Sequence, residues 1–129
     1  MSHEPGTIGW IDLTVANAAQ VRDFYTQVAG WEHEPCDMGG YSDYTMKPPG
    51  KDAVAGICHA RGINTGPPPC WLIYIVVANL DQSLRCATSL GGKILHGPRD
   101  MGAMGRLCVI QDPSGAAAAL FEHASSVKE

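Results

Sequence analysis

The feature that most limits the possible folds is an internal repeat. Val15-Ala16-Asn17 returns as Val77-Ala78-Asn79, and the same spacing carries Gln20 onto Gln82, Val28 onto Leu90 and Gly30 onto Gly92. Each copy opens with an apolar run, Ile8 to Val15 and then Trp71 to Val77, which predicts a strand. Each run ends at an Asn with a Gln three residues later, the pattern of a capped helix start. Val21, Phe24, Tyr25 and Val28 follow at helical spacing and predict one apolar face. Gly30 and Gly91-Gly92 stand where a helix end favours a residue without Cβ. Strand material comes next in both halves. Tyr41 to Lys47 and Ala53 to His59 flank Pro48-Pro49-Gly50, while Arg106 to Gln111 and Ala116 to Glu122 flank Asp112-Pro113-Ser114-Gly115.

A unit of one helix and a few strands leaves a sheet face uncovered, so two units must pair to enclose a core or a cavity. The predicted class is therefore α+β: two tandem βαβββ modules forming a U-shaped, half-open mixed β-sheet barrel with the helices outside. A single domain is expected, with module one over residues 7–60, a stiff linker over residues 61–69 ending in Gly66-Pro67-Pro68-Pro69, and module two over residues 70–123.

Charge and cysteine content exclude several function classes. The 129 residues carry 9 Lys and Arg against 13 Asp and Glu, a net charge of −4, with no basic run to meet nucleic acid or an anionic membrane surface. The longest apolar run, Cys70 to Leu80, is too short for a membrane span, and Met1 to Pro5 lacks the regions of a secretory signal. Five cysteines without a CxxC pair fit a reduced, cytoplasmic setting. Charged residues are 17% of the chain, below the usual quarter or so, which predicts that part of the surface is covered by a second copy in a homodimer.

The order of these motifs resembles the vicinal oxygen chelate superfamily, which includes glyoxalase I, bleomycin-resistance proteins and extradiol dioxygenases. The resemblance rests on the tandem modules, Trp10 and Leu13 in the first strand, Phe24-Tyr25 in helix one, Gly30-Trp31 after it, Gly91-Gly92 after helix two, and the closing Asp112-Pro113-Ser114-Gly115 turn. It covers residues 7–123 and is strongest toward small glyoxalase-like proteins of unassigned activity. Metal-dependent members place one His or Glu from each of four strands on the concave face. Those positions fall here on Trp10, Gly56, Leu72 and Ala119, none of which binds a metal. The resemblance therefore implies no metal and no other cofactor, and it disfavours glyoxalase I and extradiol dioxygenase activity. Glu122 and His123 reach the last position only by a slip of three or four residues, and His59, Cys58 or His123 would have to serve a relocated site.

Strand alternation gives the expected lining of the cavity. Ile11, Leu13 and Val15 should pack beneath helix one, and Ile73, Ile75 and Val77 beneath helix two. The expected ligand pocket is then Trp10, Asp12, Thr14, Gly56, Cys58, Leu72, Tyr74, Ala119 and Phe121. Such a pocket suits a small organic molecule, neutral or cationic given the acidic chain, as in bleomycin-resistance binding. The alternative is a metal-independent isomerase or lyase with Asp12 as general base and Tyr74 steadying an oxyanion. Asp12 is also open to the plainer reading of a buried carboxylate satisfied by backbone N–H groups, Arg61 or Arg106. His33, Glu34 and Cys36 fall in a loop or edge strand and read as surface. The Gly- and Met-rich stretch from Gly97 to Gly105 reads as a flap over the pocket or as a plain connection.

Overall fold

A computed structural model describes residues 4–124; Met1 to His3 of the N-terminal stretch discussed above lie outside the described residues, as do residues 125–129. The chain order is β1 (Ile8–Val15), α1 (Ala18–Ala29), β2 (Glu32–Asp37), β3 (Ser42–Lys47), β4 (Ala55–His59), β5 (Trp71–Val76), α2 (Leu80–Ser89), β6 (Lys93–Asp100), β7 (Gly105–Gln111) and β8 (Ala117–His123). Short 3₁₀ turns occupy Gly62–Asn64 and Gly102–Met104. The α+β class and the repeated βαβββ order are those expected from the sequence.

Two compact units result. The first is Ile11–Trp71; the second combines residues 72–124 with residues 4–10. The start of the chain joins the second unit because Gly6 N–H donates to the Val76 carbonyl and Val76 N–H to that of Thr7.

In the first unit the strands run in the order β2-β3-β4-β1. β1 and β4 are parallel, with Asp12 opposite Gly56 and Thr14 opposite Cys58, while β3 is antiparallel to both β2 and β4. The core gathers Ala18, Met46 and Ile57, with Val15, Val21, Tyr25, Trp31, Tyr44 and Trp71 packed against them. The Trp71 indole donates to the Tyr25 hydroxyl at 3.1 Å, so the buried polar ends of two aromatics satisfy one another. The predicted apolar face of α1 is only half buried. Val21 and Tyr25 face the core, but Phe24 is 55% and Val28 65% exposed, because Ala18, not Phe24, completes the buried arc.

In the second unit the order is β5-β8-β7-β6. β5 and β8 are parallel, and β7 is antiparallel to β8 and to β6. One sheet face carries Ile75, Val77, Cys108, Ile110 and Leu120 against Leu80 and Leu84 of α2. The opposite face carries Leu107, Ala119 and Phe121, with Tyr74 and Met101.

The two matching helix starts are not built alike. Asn79 caps α2, its side chain accepting from Gln82 N–H at 3.0 Å. Asn17 makes no such cap; its amide donates instead to the Gln20 side chain. Gly30, at φ 74°, ends α1 in the left-handed conformation that favours glycine. The stretch from Gly97 to Gly105 is mostly strand: its first four residues continue β6, and only 101–104 connect to β7.

Candidate functional site

Alternation along β5 and β8 sends Tyr74, Val76 and Phe121 to the sheet face opposite α2. With Gly9, Trp10 and Met104 they enclose a cavity of about 230 Å³ in the second unit. The Tyr74 and Phe121 rings stack at 6.3 Å, and the His123 imidazole meets Phe121 edge-on at 4.7 Å. Ala119 is fully buried between Tyr74 and Val109 on the same sheet face. Trp10, Tyr74 and Phe121, three of the residues expected from sequence, are therefore walls of one cavity, and Leu72 is buried further along β5.

Met104, from the Met-rich stretch read as a flap or a connection, is also a wall. Its position depends on Gly105, whose φ of 132° suits glycine alone. A Cβ there would run into the Glu122 carbonyl and the Ala124 and His123 backbone. The turn is pinned at both ends, Met101 N–H to the Gly105 carbonyl and Ala124 N–H to that of Met104. That anchoring favours the connecting role for 101–104.

The other expected residues, Asp12, Thr14, Gly56 and Cys58, meet on one face of the first unit. The Cys58 thiol donates to the Asp12 carboxylate at 3.7 Å. Burial pushes this thiol well up from its ordinary value, and the nearby charges of Asp12 and Asp43 push it further. Cys58 is thus held as a neutral donor, the reverse of what a nucleophilic thiolate requires. The two arginines considered as partners for Asp12 have other engagements. Arg61 lies over the Tyr41 ring at 3.9 Å, and Arg106 binds Asp81 and Glu122.

Asp43 was not anticipated. It is 4% exposed and accepts from His59 N–H at 2.7 Å, with the His59 Nδ1 at 3.3 Å. The His59 ring sits against Tyr41 and Tyr44. The signal was present in Ser42-Asp43-Tyr44-Thr45-Met46. Tyr44 and Met46 pack into the core, so Asp43 and Thr45 must turn to the face of Gly56 and Cys58.

The positions that the resemblance assigns to a metal carry no suitable donors here. Trp10, Gly56, Leu72 and Ala119 offer an indole, a bare Cα, an alkyl chain and a methyl group, and no lone pair suited to a divalent ion. Among the described residues no three His, Cys, Asp or Glu are placed to hold one. Glu122 points to the α2 side, where it accepts from Leu80 N–H at 2.7 Å and pairs with Arg106. His33, Glu34 and Cys36 lie on β2, an exposed strand at the end of the first unit's sheet order.

Known proteins resemble this chain in sequence and in fold. The chain is 33% identical over 122 residues to the Mycobacterium tuberculosis protein named "Putative glyoxylase CFP32", covering 93% of this chain and 47% of that protein. It is 29% identical over 130 residues to anthracycline biosynthesis protein DauV of Streptomyces sp. strain C5, covering 91% and 47%. The chain thus spans about half the length of the curated relatives it matches. Among solved structures, methylmalonyl-CoA epimerase from Mycobacterium tuberculosis has the same fold, with a TM-score of 0.51 at 20% identity over 97% of this chain and 94% of that one. Residues 7–120 match the Glyoxalase/Bleomycin resistance protein/Dioxygenase superfamily, and the chain belongs to that superfamily.

Proposed function

We propose that this protein binds a compact organic molecule in the aromatic cavity of its second unit, without a metal. The carrying observation is the cavity itself: about 230 Å³, walled by Trp10, Tyr74, Phe121, Val76 and Met104. Trp10, which the family resemblance sets at the first metal-ligand position, is one of those walls. Ligand sites are commonly larger, roughly 300–1,000 Å³, so a molecule with one or two rings suits this one. Its flat faces stack on the rings, and displacement of water from apolar walls supplies the binding energy. The test is calorimetric titration with aromatic probes of one to three rings, with Trp10→Ala alongside. Micromolar binding of a one- or two-ring probe that weakens at least about tenfold in Trp10→Ala supports the reading. Binding that ignores Trp10 counts against it.

A second reading, a metal-independent isomerase or lyase with Asp12 as base, is favoured by the half-buried Asp12 carboxylate held by the Cys58 thiol. Asp12→Asn separates the two. A binding protein keeps its affinity, whereas an Asp12-dependent enzyme loses about 10² or more in turnover while keeping its fold. The protein is further proposed to be a cytoplasmic homodimer. Its five cysteines are free, and Phe24, Val28 and Leu90 are each more than half exposed. No helix among the described residues is long and apolar enough to cross a membrane.

A further inference from the structure

Met104 stands apart from the other walls of the cavity. Among the described residues that enclose it, Val76 and Phe121 are buried and Gly9, Trp10 and Tyr74 half-buried, whereas Met104 is 57% exposed. Its side chain closes the cavity on one side and meets solvent on the other. The backbone beneath it is fixed. Gly102 N–H donates to the Asp100 carboxylate at 2.8 Å, Met101 N–H to the Gly105 carbonyl at 2.7 Å, and Ala124 N–H to the Met104 carbonyl at 3.1 Å. What adjusts to a ligand is the thioether chain itself, unbranched and soft.

The other described methionines are placed differently. Met46 is fully buried in the core of the first unit. Met101 is half-buried; its sulfur accepts from Arg99 Nη2 at 3.4 Å, and it packs on Leu107, Ala119 and Phe121. Met38 is 37% exposed, but it belongs to the first unit and lines no part of the cavity. Met104 alone among them joins an accessible sulfur to a place in the cavity wall.

We infer that Met104 is an oxidation site that controls ligand binding, its thioether being converted to the sulfoxide by hydrogen peroxide. The inference rests on the proposed cavity binding. The sulfur lone pair attacks one peroxide oxygen, so that an S–O bond forms and the O–O bond breaks. The second oxygen leaves as water with both protons; sulfur gives up two electrons and the peroxide takes them. The walls present almost no polar atom to the cavity. A sulfoxide oxygen covered by a ring is therefore stripped of water with almost no donor to replace it. Turning the oxidised end out to solvent avoids that cost but takes a wall away from the ligand. Either way affinity falls.

The test is calorimetric titration with naphthol and phenol, neutral two-ring and one-ring probes, before and after treatment with hydrogen peroxide. Peptide mass spectrometry locates the sulfoxides. Met104 should oxidise ahead of Met101 and Met46, and its conversion should weaken the tighter probe by about tenfold or more. Dithiothreitol alone, which reverses disulfide and sulfenic acid formation at exposed Cys36 and Cys86, should leave the loss in place. Methionine sulfoxide reductases for both epimers should restore binding. Met38→Leu should behave as the wild type, whereas Met104→Leu, whatever its starting affinity, should bind equally before and after peroxide. Unchanged affinity with Met104 converted, recovery with dithiothreitol alone, or an equal loss in Met104→Leu overturns the inference and leaves the cavity reading standing. So does a Met104 that resists peroxide until Met46 has reacted. Should neither probe bind the untreated protein, the cavity reading falls and this inference with it.

Discussion

At the scale of single residues, Cys58 shows how a strand position decides chemistry. A thiol beside a histidine in sequence invites a nucleophile-and-base reading, yet Cys58 shares its face with Asp12 and Thr14, and burial, with the carboxylates there, keeps it protonated. Exposed Cys36 and Cys86 should therefore react first with iodoacetamide in the native protein, with Cys58 and fully buried Cys108 protected, as peptide mass spectrometry would show. A stability consequence follows with a definite sign. The folded Cys58 thiol lies above its ordinary value of 9.0, so the unfolded chain gives up that proton first. Its contribution is intact below about pH 9 and is lost as pH rises further. Denaturant melts at pH 7 and pH 10 should show the decline, smaller in Cys58→Ala; a decline equal in both proteins would remove Cys58 as its source. Cys108, raised by burial alone, accounts for a remainder. Cys58 and Asp12 were both visible as residues of one face in the sequence. Their mutual hydrogen bond was not, because it depends on the register between β1 and β4, two strands separated by more than forty residues.

At the scale of elements, the repeat specifies strand, helix and strand without making the copies equivalent. Asn79 caps α2 through its side chain, and Asn17 does not cap α1. Asn79→Ala is accordingly expected to cost about 1 kcal/mol and Asn17→Ala only a few tenths, measured as midpoint shifts at constant m. Equal costs would refute the distinction. β6 and the turn after it were harder to anticipate. Glycines and a proline between Gly97 and Gly105 suggested a flap or a plain connection, and two of these glycines serve close backbone approach within the sheet. Gly105→Ala should destabilise by at least about 2 kcal/mol, since φ of 132° and the backbone of β8 both oppose a Cβ. A substitution cost under about 0.5 kcal/mol would show that the turn relaxes freely.

At the scale of the whole molecule, low charge content and several exposed apolar side chains carry the expectation of a dimer. Light scattering after size exclusion should give about twice the 13.7 kDa chain mass, and Phe24→Glu with Leu90→Glu should shift it toward one. A wild-type monomer at micromolar concentration would dismiss the dimer. The amino-acid sequence by itself determined the α+β class, the two βαβββ copies and the glycine end of α1, and it placed Trp10, Tyr74 and Phe121 on the face away from the helices. These follow from local periodicities and turn chemistry, which act over a few residues. Tertiary structure decided which polar groups meet. Asp43 against His59, Cys58 against Asp12, and Glu122 against the start of α2 all depend on register between distant strands. Register is set by the packing of whole faces, and a shift of one residue turns every side chain of a strand to the other side.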